Sequence, residues 1–198
     1  MRALVIGATG TIGAAVAEAL EEAGHEVLPA SRSGEIPVDI EEASSIRAMY
    51  DEVGTVDAVI SCAGDGAFAP LTELTDDQVE LTLRSKLMGQ VNLVRYGVDA
   101  VADHGVFVLT AGFFSRHPIP GVPALAMVNG GLESFARGAA LDLPRGIRIG
   151  TISPPFITET AEAMGMDTDG TIPAAENARV YLRFAEGDET GSVIFPEP

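Results

Sequence analysis

The chain of 198 residues is 46% hydrophobic, which predicts a single domain with one substantial core. Its formal net charge of −17, from 29 acidic and 12 basic residues, repels nucleic acid and anionic membranes, so we expect neither as a partner. The sequence has no apolar run of about 18 residues, the length that a membrane-spanning helix needs. The only cysteine, Cys62, excludes an internal disulfide, and without a signal-peptide pattern we expect a cytoplasmic protein.

Apolar runs typical of β-strands alternate with helical patterns along the whole chain. Strands are predicted at 2–6, 25–30, 36–40, 57–63, 105–111, 147–153 and 192–195, and helices at roughly 11–23, 41–53, 75–99, 123–143 and 173–186. The segment 154–172 is the least regular and is predicted to be a mobile flap. Continuous apolar strands between helices indicate a parallel sheet covered on both faces, hence a doubly wound α/β fold spanning 1–198 as one domain.

A glycine-rich turn follows the first predicted strand and opens the first helix, in the stretch "VIGATGTIG". Gly7 permits a tight turn, Gly10 lets backbone approach a phosphate, and Gly13 allows the helix to pack closely on the strand. A helix N-terminus also attracts an anionic pyrophosphate. The stretch therefore predicts a dinucleotide site, with a turn that binds nothing as the alternative. The other residues assigned to this site are Thr9, Thr11 and Ile12.

The end of the second strand bears on the choice between NAD and NADP. Proteins that select NAD usually place a carboxylate there, whereas this chain has Ser31 and Arg32. The planar guanidinium of Arg32 can pair with a 2′-phosphate. We therefore predict NADP as the cofactor, with NAD possible and a solvated loop arginine as the alternative.

Two further strand ends carry candidate cofactor contacts. Asp39, followed by Ile40, can meet an adenine amino group, and the stretch Cys62, Ala63 and Gly64 lets backbone pass close to a ribose. Taken singly, each has a structural explanation that is nearly as good: Asp39 can cap a helix N-terminus, and Gly64 can simply end a strand. Cys62 itself is interpreted as a small buried hydrophobe rather than a nucleophile. No spacing of His, Cys, Asp or Glu resembles a metal site.

In order along the chain, the motifs "GATGTIG", "VDI", "SCAG", "RSKLMGQVNLV", "VFVLTAG", "RGIRIGTISPP" and "ETGSVIF" resemble those of the short-chain dehydrogenase/reductase family. The resemblance covers essentially the whole chain. It implies an NAD(P)-binding Rossmann sheet of six or seven strands, with Pro154 near the cofactor, and oxidoreduction of an alcohol or carbonyl group. It also implies a homodimer or homotetramer built from the two long helices.

The catalytic positions of that family are substituted in this chain. The resemblance puts Leu125 at the tyrosine that transfers the proton, and Asn129 at the lysine that lowers the pKa of that tyrosine. The family serine falls within 110–112, and the family asparagine falls on Lys86. Leucine transfers no proton, and asparagine supplies no charge, but Asn129 can still hydrogen-bond a ribose hydroxyl.

Lys86, the only lysine, is the sharpest remaining candidate. It can serve as a replacement acid/base or as an anchor for an anionic substrate, with an ordinary helix lysine as the alternative. One functional hypothesis is an NAD(P)-dependent oxidoreductase whose proton donor is Lys86, His117 or water. A second is a catalytically silent dinucleotide-binding sensor or scaffold, and a third is a reductase whose small substrate supplies its own proton. Ser115 is a weaker candidate for a contact with the unknown small-molecule substrate.

Overall fold

The computed structural model describes residues 1–197 and contains a seven-stranded sheet in the order β3-β2-β1-β4-β5-β6-β7, with every pair of neighbours parallel. This confirms the predicted doubly wound α/β fold. The strands are β1 (Arg2–Ile6), β2 (Glu26–Ser31), β3 (Ile36–Pro37), β4 (Val56–Ser61), β5 (Val101–Thr110), β6 (Arg148–Ile152) and β7 (Val193–Ile194). β3 is shorter than predicted: its partner β2 ends at Ser31, so only Ile36 and Pro37 pair with it.

The helices are α1 (Thr11–Glu22), α2 (Ala43–Val53), α3 (Asp76–Thr82), α4 (Gln90–Gly97), α5 (Pro123–Asp142), α6 (Thr158–Ala163) and α7 (Ala174–Glu186). A π-helical segment, Leu83–Gly89, joins α3 to α4, so the single helix predicted at 75–99 changes its hydrogen-bonding pattern in the middle. The predicted flap contains α6, which the sequence reading missed. Within the described residues no helix combines the length and the apolarity needed to cross a membrane.

The core lies on both faces of the sheet. Successive residues of β1 point alternately to the two sides: Leu4 packs in the cluster beneath α2, α4 and α5, and Val5 packs in the cluster beneath α1 and α7. Since these strands are covered on both faces, they consist of nearly continuous apolar residues. The carboxyl ends of the strands all emerge at one edge, where a doubly wound sheet binds its ligands.

Candidate functional site

A cavity of about 340 Å³ opens at the carboxyl ends of β1, β2 and β4. Ten of the residues predicted to bind the cofactor line it: Gly7, Thr9, Gly10, Ser31, Arg32, Asp39, Ile40, Cys62, Ala63 and Gly64. These residues come from four separate strand ends, and the fold brings them together. We call this space the first cavity.

The three glycines of the first turn have different structural roles. Gly7 has φ +82°, a conformation that L side chains rarely adopt, and a Cβ on it would lie 3.0 Å from the backbone nitrogen of Ala63. A Cβ on Gly13 would come 2.1 Å from the carbonyl oxygen of Gly7, so the helix and the turn pack with no room for a side chain. At Gly10 the nearest atom would be 3.4 Å away, which is ordinary contact. Gly10 is therefore the position where space is open to a ligand.

The start of α1 has the features of an anion-binding site. Gly10 occupies the N-cap position and has no side chain to cap the N–H groups of the first turn, which also lacks acidic residues. Backbone N–H groups at a helix N-terminus carry partial positive charge and attract phosphate. This end of α1 adjoins the first cavity through Gly10.

The rim of the first cavity carries one exposed cation. The Arg32 side chain is 76% exposed, and its only carboxylate contact within residues 1–197 is Asp65, at 4.0 Å. It is thus free to reorient toward an anionic ligand. Asp39 also lines the cavity, and its Oδ1 accepts from the backbone N–H of Glu41 at 3.0 Å, so its carboxylate has a structural role in that turn as well.

A second cavity, of about 330 Å³, adjoins the first and shares Gly64 and Asp65 with it. Both catalytic candidates, Lys86 and Asn129, line the second cavity. Ile12 and Pro154, predicted to bind the cofactor, also lie here rather than in the first cavity. Because they share Gly64 and Asp65, the two cavities form one crevice at the sheet edge.

Burial lowers the pKa of Lys86 from 10.5 to about 8, because an ammonium in this crevice loses part of its hydration. Cys62 and Asp65 act in the opposite direction and favour the charged form. The Lys86 amine makes no hydrogen bond or ion pair with any group in residues 1–197. It is therefore a mostly protonated, unpartnered cation at neutral pH, with a pKa suited to proton transfer.

The position of Lys86 is fixed by its backbone and by its neighbours. It lies in the π-helical segment, a feature often found at functional sites. The buried Gln90 side chain donates to the carbonyl of Lys86 at 3.1 Å and to that of Thr110 at 2.8 Å, which ties the helix to the end of β5. A Cβ on Gly64 would lie 3.0 Å from the Lys86 Cα, so the loop after β4 holds the lysine from the other side.

Asn129 and Leu125 lie one turn apart on α5 and also line the second cavity. A Cβ on Gly112 would come 2.9 Å from the Asn129 Nδ2, so the amide fills the space that a side chain at residue 112 would need. The Asn129 Oδ1 is buried and has no hydrogen-bond partner within the described part of the chain. Such an atom is costly unless a ligand or water satisfies it. Leu125 packs with Phe114 and Val122 and presents only hydrocarbon.

Several sequence-predicted residues lie outside both cavities. Thr11 is exposed and Gly13 is buried under the turn, so they shape the cofactor loop without lining it. His117 is exposed on its loop, and the Ser115 hydroxyl donates to the Glu133 carboxylate instead of facing the crevice. Cys62 lines the first cavity, but burial raises its pKa to about 12, which keeps the thiol neutral and unreactive.

The sequence reading missed most of the apolar wall of the second cavity. This wall is formed by Phe68, Phe113, Phe114 and Phe156. All four follow the carboxyl ends of β4, β5 and β6, so the topology could have predicted their convergence. No group of three or more His, Cys, Asp or Glu side chains within residues 1–197 is arranged to hold a metal ion.

A family model described as enoyl-(acyl carrier protein) reductase matches residues 7–195, from the first glycine of the turn to the residue after β7. The chain belongs to the short-chain dehydrogenase/reductase family. This confirms the resemblance that the motifs carry, and the agreement extends over nearly the whole chain.

Curated relatives and solved structures give the same family. 4-Formylbenzenesulfonate dehydrogenase of Comamonas testosteroni is 26% identical, over 97% of this chain and 88% of its own length. The protein lin1944 of Listeria innocua, a crystal structure, is 42% identical, covers 98% of each chain and superposes with a TM-score of 0.94. A small-chain dehydrogenase crystallised with NADPH is 26% identical, over 100% of this chain and 96% of its own, with a TM-score of 0.89.

Proposed function

We propose that this short-chain dehydrogenase/reductase is an NADPH-dependent reductase of carbonyl compounds in which Lys86 supplies the proton. The observation that carries the proposal is the unpartnered Lys86 amine, with a pKa of about 8, at the wall of a cavity continuous with the dinucleotide cleft. A silent binding protein would have no need of a partly desolvated cation at this point.

Several features of the crevice support dinucleotide binding. The uncapped start of α1 beside Gly10 would hold the pyrophosphate, and Arg32 would pair with a 2′-phosphate. The buried, unsatisfied Asn129 Oδ1 would accept from a hydroxyl of the nicotinamide ribose. The NADPH complex of a structural neighbour supports the choice of a phosphorylated cofactor.

In this proposal the cofactor supplies the hydride and a residue of the second cavity supplies the proton. A bound reduced nicotinamide supplies the hydride. The Lys86 ammonium would hydrogen-bond the carbonyl oxygen, stabilise the negative charge that develops there, and donate the proton. The neutral amine would then recover a proton from solvent. Leu125, at the position that the family resemblance assigns to tyrosine, takes no part in proton transfer.

The test is NADPH oxidation, followed by absorbance, with a panel of aldehydes and ketones. We expect turnover by the wild type, and loss of turnover in Lys86→Met with unchanged NADPH affinity by calorimetry. If Lys86 is only an anchor for an anionic substrate, the variant will instead raise KM and largely keep kcat. Absence of turnover in the wild type, with activity appearing in the Leu125→Tyr/Asn129→Lys double variant, would make the protein a binder and overturn the proposal.

A further inference from the structure

The second cavity has an aromatic wall that the proposed reaction does not itself require. Of the eight phenylalanines in the chain, four line this one cavity: Phe68, Phe113, Phe114 and Phe156. The Phe114 ring meets the Phe156 ring edge to face, with centroids 5.4 Å apart at 77°, and meets the Phe68 ring at 6.2 Å and 85°. The Phe68 and Phe156 rings are nearly parallel, at 20° and 6.3 Å. These geometries are the ones that aromatic rings prefer.

This wall remains partly open to solvent. Phe68 is 51% exposed even though it packs against two other rings. A cluster of apolar side chains that lines a concave site and stays partly exposed offers a surface that a ligand can cover. Leu125, which packs with Phe114, extends this apolar wall, and a Cβ on Gly66 would come 2.4 Å from its Cδ2.

The charges around the cavity indicate a neutral ligand. The ionisable groups that line it are Lys86 and Asp65, one of each sign. Lys86 and Asn129 line the same cavity as the four phenylalanines, so a ligand that fills it meets polar groups as well as an apolar surface.

We propose that the substrate is a neutral aromatic aldehyde or ketone of one or two rings, with its rings on the phenylalanine wall and its carbonyl oxygen on Lys86. This inference rests on the proposed function and names its substrate class. The volume of about 330 Å³ lies at the low end of ligand pockets and must also admit the nicotinamide, which limits the ring count. In the reaction the carbonyl carbon gains hydride from NADPH, the C=O π pair moves to oxygen, and oxygen takes the proton of the Lys86 ammonium, giving the alcohol and NADP⁺.

The kinetic test compares 2-naphthaldehyde, cyclohexanecarboxaldehyde and glyoxylate in the wild type, Phe156→Leu and the control Phe135→Leu. Phe135 lies in a groove between α4 and α5, away from the crevice, and light scattering checks that Phe135→Leu keeps the oligomeric state of the wild type. Because these aldehydes differ in intrinsic reactivity, the informative quantity is the change between variants. We expect Phe156→Leu to raise KM for 2-naphthaldehyde about tenfold, with kcat largely kept. In the same variant, KM for cyclohexanecarboxaldehyde should change less than threefold. The control Phe135→Leu should leave KM unchanged for both aldehydes.

A binding test separates failure of the substrate class from failure of the reaction. The chain has no tryptophan, so the fluorescence of 2-naphthol can be followed on the NADP⁺-loaded protein with little protein background. We expect saturable binding that Phe156→Leu weakens about tenfold and Phe135→Leu does not. Binding without turnover of any aldehyde would overturn the proposed function and keep the ligand class. Turnover of glyoxylate or cyclohexanecarboxaldehyde with no binding of 2-naphthol would overturn the proposal of an aromatic substrate. Equal losses of 2-naphthol affinity in Phe156→Leu and Phe135→Leu would also overturn it.

Discussion

Replacing Lys86 by methionine should stabilise the fold at neutral pH, which is unusual for a substitution at a functional position. Burial lowers the pKa of Lys86 from 10.5 to about 8. At about 1.4 kcal/mol for each pH unit, the partly desolvated ammonium costs up to about 3 kcal/mol at pH 7. Methionine has a similar length and no charge to desolvate, so the Lys86→Met variant should recover most of that cost.

The sign of the pH dependence follows from proton linkage. Lysine has a lower pKa in the folded chain than in the unfolded chain, so between about pH 8 and pH 10.5 the unfolded state binds more protons. The stability contributed by this site therefore rises with pH across that window. The advantage of Lys86→Met should be full below pH 8, shrink as pH rises, and be nearly gone at pH 10.5.

Urea unfolding at pH 7, 9 and 10 measures this difference, with Arg84→Met as the control. Arg84 lies two residues before Lys86, is exposed, and pairs with Glu41 at 2.7 Å, so its removal deletes one positive charge, as Lys86→Met does at pH 7, without relieving burial. We expect an effect of about 1 kcal/mol or less for Arg84→Met at every pH. A Lys86→Met variant that is less stable than wild type at pH 7, or whose advantage does not shrink with pH, would refute the reasoning.

Three further predictions concern the cofactor and assembly. Arg32→Ala should weaken NADPH binding about tenfold or more and leave NADH nearly unchanged by calorimetry; equal losses would contradict the 2′-phosphate contact. Gly10→Asp should abolish dinucleotide binding, because it places a carboxylate at the pyrophosphate site, and Gly10→Ser should bind better than Gly10→Asp. Both variants should keep or raise Tm, because Asp and Ser can cap the N-terminus of α1. Light scattering should show a homodimer or homotetramer, associated through α4 and α5, that tightens with salt; a monomer at all salt concentrations contradicts it.

The fold and the cofactor turn could be predicted from the sequence because their signals are local. Continuous apolar strands and the spacing of Gly7, Gly10 and Gly13 depend on neighbours within a few residues. The structure shows why glycine is needed at two of these positions: Gly7 has a positive φ, and Gly13 lies too close to the backbone of Gly7 to carry a side chain. These constraints explain why the turn was predictable to the residue.

The π-helical segment was not predictable, because its causes are tertiary. The apolar spacing of 75–99 fits one continuous helix. The distortion coincides with contacts to the loop after β4: the backbone N–H of Asp65 donates to Ser85 at 3.0 Å, and that of Ala67 donates to Thr82 at 2.9 Å. Helix α6 was missed for a related reason: it is short and polar, and a parallel bridge between Ile157 and Ile172 holds its segment in place.

The sequence identified the catalytic candidates from their positions in the predicted elements, but only the structure shows the environment of their side chains. Sequence reasoning selected Lys86 because it is the only lysine and falls on a helix facing the crevice. Its lowered pKa comes from burial, and that burial depends on parts of the chain that only the fold brings together, such as the loop at Gly64. His117 and Ser115, which were chosen for proximity along the chain, lie outside both cavities.

The most direct test of Lys86 as the proton donor is the pH profile of a single turnover, measured by stopped-flow mixing of the NADPH-loaded protein with a carbonyl compound that it reduces. In the wild type the rate should be constant below about pH 8 and fall above it, as the ammonium loses its proton. In Lys86→Met the rate should fall by on the order of 10²–10⁴ at every pH, with NADPH affinity unchanged. Reduction by Lys86→Met at the wild-type rate, with the same pH profile, would contradict the assignment.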